Sequence, residues 1–191
     1  SHRASFDAPG LEKAQLARLS ENWEEFRREQ PGETSPMHVG LVLLQNGKVP
    51  SRITEQAAPY LDSLGREGYI LDLEPGAITI AAGTEPGLFY GLQTLKQLVR
   101  GSWDTGLFIA DWPAFETRVI YDDISRGPIS TADYIRQQIR RLAELKVNYL
   151  SFYIEHVVQP LSHPDFAPEN GKLTLAEIRE LSQYAGKYHM Q

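Results

Sequence analysis

Two short runs in the last third of the chain hold the residues best suited to chemistry. They are Asp122-Asp123-Ile124-Ser125-Arg126 and Tyr153-Ile154-Glu155-His156. Arg126 precedes Gly127-Pro128, and an arginine held there can offer a planar fork of donors to vicinal hydroxyls or to a carboxylate. The competing reading pairs Arg126 with Asp122 or Asp123 as a staple at a strand end. Asp122 and Asp123 cannot form a two-carboxylate acid/base couple alone, because neighbours on a strand point to opposite faces. They are read as structural or supporting residues. Glu155 and His156, with His163 as the only nearby addition, are too few for a metal centre. Lining of a polar pocket and a plain solvated loop both stay open for them. The chain has no cysteine, no G-x-S-x-G, no Walker A and no G-x-G-x-x-G. Neither a metal nor a cofactor is expected.

The elements that must position these residues follow from hydrophobic period. Arg118–Ile124 is a β-prone run ended by Ser125-Arg126-Gly127-Pro128, and Val119-Ile120-Tyr121 suits a parallel strand covered on both faces. Thr131–Lys146 is helical, with Ser130 or Thr131 as cap, Asp133 in the first turn, and Ile135, Ile139 and Leu142 as inner stripe. Asn148–Ile154 is a second strand. A loop of about 18 residues follows, and Thr174–Tyr188 is a helix opened by a Thr174/Glu177 capping box. Strand, helix, strand, loop, helix reads as the opening two units of a (β/α) barrel, an incomplete one. In such a barrel the active site lies at the C-terminal strand ends, which selects Asp122, Asp123, Ser125, Arg126, Tyr153, Glu155 and His156.

Upstream, Leu11–Glu29 carries a Leu16, Leu19, Trp23, Phe26 stripe. Residues 30–36 end it with turn chemistry. Met37–Leu44 is a strand, and Tyr69–Leu73 and Ala77–Ala81 form a hairpin around Pro75-Gly76. Thr84–Val99 is a helix whose Gly87 and Gly91 point to close packing on a sheet. Leu107–Ile109 is a short strand. This part, residues 1–110, is expected to be an α+β domain whose sheet has helices on one face, and 111–191 the barrel segment.

The net charge of −6 argues against nucleic acid as a partner. The longest apolar runs are far short of a membrane span. Ser1-His2-Arg3 fits either a tag remnant or a mature N-terminus, and no signal peptide opens the chain.

A resemblance joins these readings. Gly87-Leu88-Phe89-Tyr90-Gly91-Leu92-Gln93-Thr94-Leu95-Lys96-Gln97-Leu98 resembles the helix closing the N-terminal domain of glycoside hydrolase family 20, the β-N-acetylhexosaminidases. Asp111-Trp112-Pro113-Ala114-Phe115-Glu116-Thr117-Arg118 resembles that family's lead-in to its barrel, with Ser125-Arg126 and Lys146-Val147-Asn148 in the family's order. The ordered set runs from about Val39 to His189. The resemblance implies a glycoside hydrolase releasing terminal N-acetylhexosamine from glycans. The substrate's own acetamido oxygen would act as nucleophile, outside the usual two-carboxylate scheme. It implies that Arg126 binds ring hydroxyls of the terminal sugar, that Asp123 supports it, and that Glu155 and His156 line the site. It also implies that the catalytic Asp-Glu pair, at the end of the fourth barrel strand, is not in these 191 residues, so that they should not catalyse alone. A periplasmic or secreted bacterial location is favoured by the resemblance alone. Where many members carry His-x-His-x-x-Asp, this chain has Ser151-Phe152-Tyr153-Ile154-Glu155-His156, which puts the usual second-strand contacts in question. Two alternatives remain: another barrel glycosidase with this N-terminal domain (an α-glucuronidase or family 84 type), and a non-catalytic carbohydrate-binding or assembly module. An open strand edge predicts that the barrel segment dimerises, swaps, or packs on the first domain.

Overall fold

A computed structural model describes residues 4–29, 37–44, 50–101 and 106–191, which fall into two compact units divided between Ala114 and Phe115. The turn expected at residues 30–36 lies outside the described residues.

The first unit contains strands β1 (Ala4–Asp7), β2 (Met37–Leu43), β3 (Tyr69–Glu74), β4 (Ala77–Ala82) and β5 (Leu107–Asp111). They make one mixed sheet in the order β1-β2-β4-β3-β5, with β1, β2 and β4 parallel and β3 antiparallel to both β4 and β5. The β3–β4 hairpin turns at Gly76, whose φ of +78° favours glycine. Helices α1 (Lys13–Glu29) and α3 (Glu85–Arg100) cover the face that carries Leu41, Leu71 and Ile80. Thr84 caps α3 by accepting from the Gly87 amide at 3.2 Å. Gly87 and Gly91 are where α3 meets the sheet. A Cβ at Gly87 would stand 2.5 Å from the Gly68 carbonyl oxygen, and one at Gly91 would collide with the Ile80 side chain.

Buried polar bonds tie α1 to α3. Asn22 Oδ1 accepts from Lys96 Nζ at 2.5 Å and from Gln93 Nε2 at 3.0 Å. The Arg18 guanidinium donates twice to Glu85, at 2.7 and 2.6 Å.

The expected single helical face needs correction. Helix α2 (Ser51–Ala57) and the 3-10 turn after it, Ala58–Ser63, were not anticipated. Ile53, Ala57 and Leu64 pack with Val42, Ile70 and Ala81. These three strand positions belong to the sheet face opposite Leu41, Leu71 and Ile80. The physical reason is that both faces of the central strands are apolar. Ile70, Leu71 and Leu73 are all fully buried, so helices are needed on both sides.

The second unit contains β6 (Val119–Asp123), α4 (Ala132–Glu144), β7 (Tyr149–Tyr153) and α5 (Leu175–Gly186). Strands β6 and β7 are parallel, with Val119 opposite Tyr149 and Asp123 opposite Tyr153. Ile135, Ile139 and Ala143 of α4 and Leu181 and Ala185 of α5 are buried. Thr131 caps α4, and the Thr174/Glu177 capping box opens α5. Asn148 holds the start of the unit to the turn before β7. Its Oδ1 accepts from the Arg118 amide at 2.8 Å and its Nδ2 donates to the Glu116 carbonyl at 2.7 Å. The expectation that β6 is covered on both faces is not met, since Val119 is 48% and Tyr121 64% exposed. Val119 and Tyr121 share one face of a two-stranded sheet, and Ile120, which points to the opposite face, is 42% exposed as well.

Candidate functional site

The C-terminal ends of β6 and β7 lie side by side because the strands are parallel and paired in register. Asp123, the last residue of β6, therefore sits beside Tyr153, the last of β7. Their side chains point to the same exposed face as Tyr121, whose ring centroid is 6.5 Å from that of Tyr153. Asp122 faces the other way and is half-buried.

Asp123 is held by three donors. Its Oδ1 accepts from the Ser125 amide at 2.9 Å and the Ser125 hydroxyl at 2.5 Å, and its Oδ2 accepts from Arg126 Nη1 at 2.5 Å. Ser125 itself is buried. The bonds from Ser125, and then the guanidinium, hold the Asp123 carboxyl below its ordinary value. Arg126 is raised in turn, first by its bond to Asp123 and then by the charges of Asp123 and Glu155. The second arm of Arg126, Nη2, lies 3.6 Å from Glu155 Oε1. Tyr153 donates its hydroxyl to the same oxygen at 3.1 Å, and the Arg126 guanidinium carbon is 5.7 Å from the Tyr153 ring centroid. Glu155 accordingly pushes the Tyr153 phenol up.

Of the residues singled out in the sequence, the structure brings together Asp123, Arg126 and Glu155. His156 is exposed and follows Glu155 without joining this group, and His163 is exposed with its Nδ1 2.9 Å from Ser162 Oγ. Ser125 and Tyr153 were marked only by their place at strand ends. Their contacts make them part of the group, and the pairing of Asp123 with Tyr153 is the signal that finds them. The arrangement is a cation held between two carboxylates on a side chain that is 69% exposed. Such a fork can donate to hydroxyl oxygens while the carboxylates accept hydroxyl protons. Among the described residues no group of three or more His, Cys, Asp or Glu could hold a metal ion. No helix among them is long and apolar enough to cross a membrane.

Comparison with known proteins bears on both units. The family profile described as glycosyl hydrolase family 20, domain 2, matches residues 3–112. A beta-hexosaminidase of Porphyromonas gingivalis is 26% identical over 149 residues, covering 64% of this chain and 19% of its own length. The beta-hexosaminidase subunit beta of Entamoeba histolytica is 27% identical over 136 residues, covering 63% of this chain and 24% of its own length. Among solved structures, a Streptomyces plicatus beta-hexosaminidase mutant in complex with the product GlcNAc matches all of this chain and 41% of its own. Its TM-score is 0.75 and its identity 25%. The family 20 β-N-acetylhexosaminidase of Streptomyces coelicolor matches at TM-score 0.74 and 25% identity, again over the whole chain and 40% of its own length. The chain thus spans about a fifth to a quarter of the curated relatives and about two fifths of these solved enzymes.

Proposed function

The chain belongs to glycosyl hydrolase family 20, whose domain 2 profile matches more than half of it, and from that premise we propose that it is part of a β-N-acetylhexosaminidase. In this reading the first unit is the family's α+β domain, and the second supplies the first two β/α units of the catalytic barrel. The whole protein releases terminal N-acetylhexosamine from glycans, the sugar's own acetamido oxygen displacing the leaving group. Arg126 binds hydroxyls of that sugar, Asp123 holds Arg126 in place, and Glu155 and His156 line the same wall.

The observation that carries the reading is the strand-end group of Asp123, Arg126, Tyr153 and Glu155, at the place where barrels bind their substrates. Support for the barrel comes from a repeat in the backbone. After α4, Lys146 takes a positive φ of 61°, the Val147 amide bonds to the Leu142 carbonyl, and β7 begins at Tyr149. After α5, His189 takes a φ of 52° and the Met190 amide bonds to the Ala185 carbonyl. Gln191 then pairs with β7 as a parallel strand residue does. Its amide donates to the Asn148 carbonyl at 3.0 Å, and its carbonyl accepts from the Leu150 amide at 2.9 Å. An apolar cleft of about 390 Å³ beside this edge, lined by Ile124, Leu150, Phe152, Ile178 and Leu181 among others, suits a further strand.

The 191 residues alone are proposed not to hydrolyse glycosides, and the open edge of their second unit to favour dimers or swapped assemblies. The test is a chromogenic N-acetyl-β-glucosaminide assay at micromolar protein. No release above the buffer blank is expected; clear turnover would overturn the division of labour proposed here.

A further inference from the structure

We propose that Glu155, oriented by Tyr153, is the specificity-determining residue that makes Arg126 select a neutral hydroxylated sugar over an acidic one. The inference rests on the sugar-binding reading of Arg126 above and adds a selection that the reading does not contain.

Arg126 has one arm already committed, since Nη1 donates to Asp123 at 2.5 Å. The other arm, Nη2, stands 3.6 Å from Glu155 Oε1, an ion-pair separation too long for a good hydrogen bond. Glu155 is not left to wander, because the Tyr153 hydroxyl donates to that same oxygen at 3.1 Å. Tyr153 in turn lies under the guanidinium, its ring centroid 5.7 Å from the Arg126 carbon. The ring and the carboxylate therefore frame the Nη2 arm, which has only the long ion pair to Glu155 and the Tyr153 side chain as neighbours.

A sugar hydroxyl suits this frame on both sides. It accepts from Nη2 with a lone pair and gives its proton to Glu155. An acidic sugar keeps its ring hydroxyls, but its carboxylate satisfies only the first half. That carboxylate has no proton for Glu155, and it meets two carboxylates around a single guanidinium, one negative charge in excess. Among the described strand-end residues, the charged groups of this face are Asp123, Arg126 and Glu155. The exposed setting keeps the repulsion modest and makes it weaken as salt is added.

The experiment compares methyl β-glucoside with methyl β-glucuronide, two ligands that differ at C6 in carrying a hydroxymethyl or a carboxylate. Each is titrated at low salt into the whole 191-residue chain, reading the Arg126 Nε–H and Tyr153 ring resonances by NMR. The glucoside is expected to bind about fivefold more tightly, the scale of one exposed charge pair. In Glu155→Gln the ratio should fall toward one, through a gain for the glucuronide. Tyr153→Phe should lower the ratio part-way, because Glu155 then loses its anchor. The Tyr153 phenol should also ionise at lower pH in Glu155→Gln, which reports the contact directly. A purely structural Glu155 would leave the ratio unchanged in Glu155→Gln, and that result overturns the proposal. So does a wild-type chain that prefers the glucuronide. If neither ligand moves Arg126, the sugar-binding reading itself fails, and this inference with it.

Discussion

Asp123 is the most heavily bonded side chain at the strand ends, and its protonation is the simplest probe of how the group is built. Ser125 gives it two bonds and Arg126 one. Its folded value lies below the ordinary 3.8, so its share of stability is complete above that value and is lost as pH falls through the lower folded one. Ser125→Ala should bring the Asp123 titration, followed by carboxyl ¹³C NMR, back toward 3.8. A titration that does not move would show that Ser125 does not hold it. The sequence made Arg126 and Asp123 legible because a strand ending in Ser-Arg-Gly-Pro leaves few other places for them. It left open whether Arg126 staples the strand end or faces a ligand. The two are compatible in the geometry: Nη1 is bonded to Asp123, while Nη2 makes only a 3.6 Å ion pair to Glu155 on a side chain that is 69% exposed. Tyr153 was harder to see, since its role depends on lying across the sheet from Asp123, a pairing fixed by register rather than by local sequence.

At the scale of elements, close approaches and caps set the expected costs. Gly91→Ala would press a methyl into Ile80, and Gly87→Ala would press one against backbone at Gly68. Each should lose about 1–3 kcal/mol in denaturant unfolding, with Gly87→Ala the worse because a carbonyl cannot rotate away. Asn148→Ala should cost about 1–3 kcal/mol, since it leaves the Arg118 amide and the Glu116 carbonyl without their side-chain partner. Thr174→Ala, which breaks the capping box, should cost about 1 kcal/mol. Equal stability to wild type in these variants would remove the corresponding contact from the account. The long helices and the hairpin were legible because their stripes and turn residues are local. Helix α2 was not, because its seven residues are too short to show a period, and it is held by burying Ile53 and Ala57 on the sheet. Strand β1 has only four residues, and its pairing with β2 depends on a partner thirty-three residues away. The exposure of β6 was also beyond the sequence. A continuous apolar run shows what a strand can bury, while Val119 and Tyr121 depend on what stands across the sheet.

For the whole molecule, membership of family 20 rests on the first unit, and the proposed sugar contact rests on the second. The two claims can therefore be separated by experiment. The most direct test of the central one is an NMR titration of the 191-residue chain with N-acetylglucosamine, wild type against Arg126→Lys. Lysine keeps the charge and loses the planar fork. The account predicts concentration-dependent shifts confined to Asp123, Arg126, Tyr153, Glu155 and their neighbours in the wild type, and their loss in Arg126→Lys. Shifts that persist unchanged in Arg126→Lys, or that arise elsewhere on the chain, would contradict it.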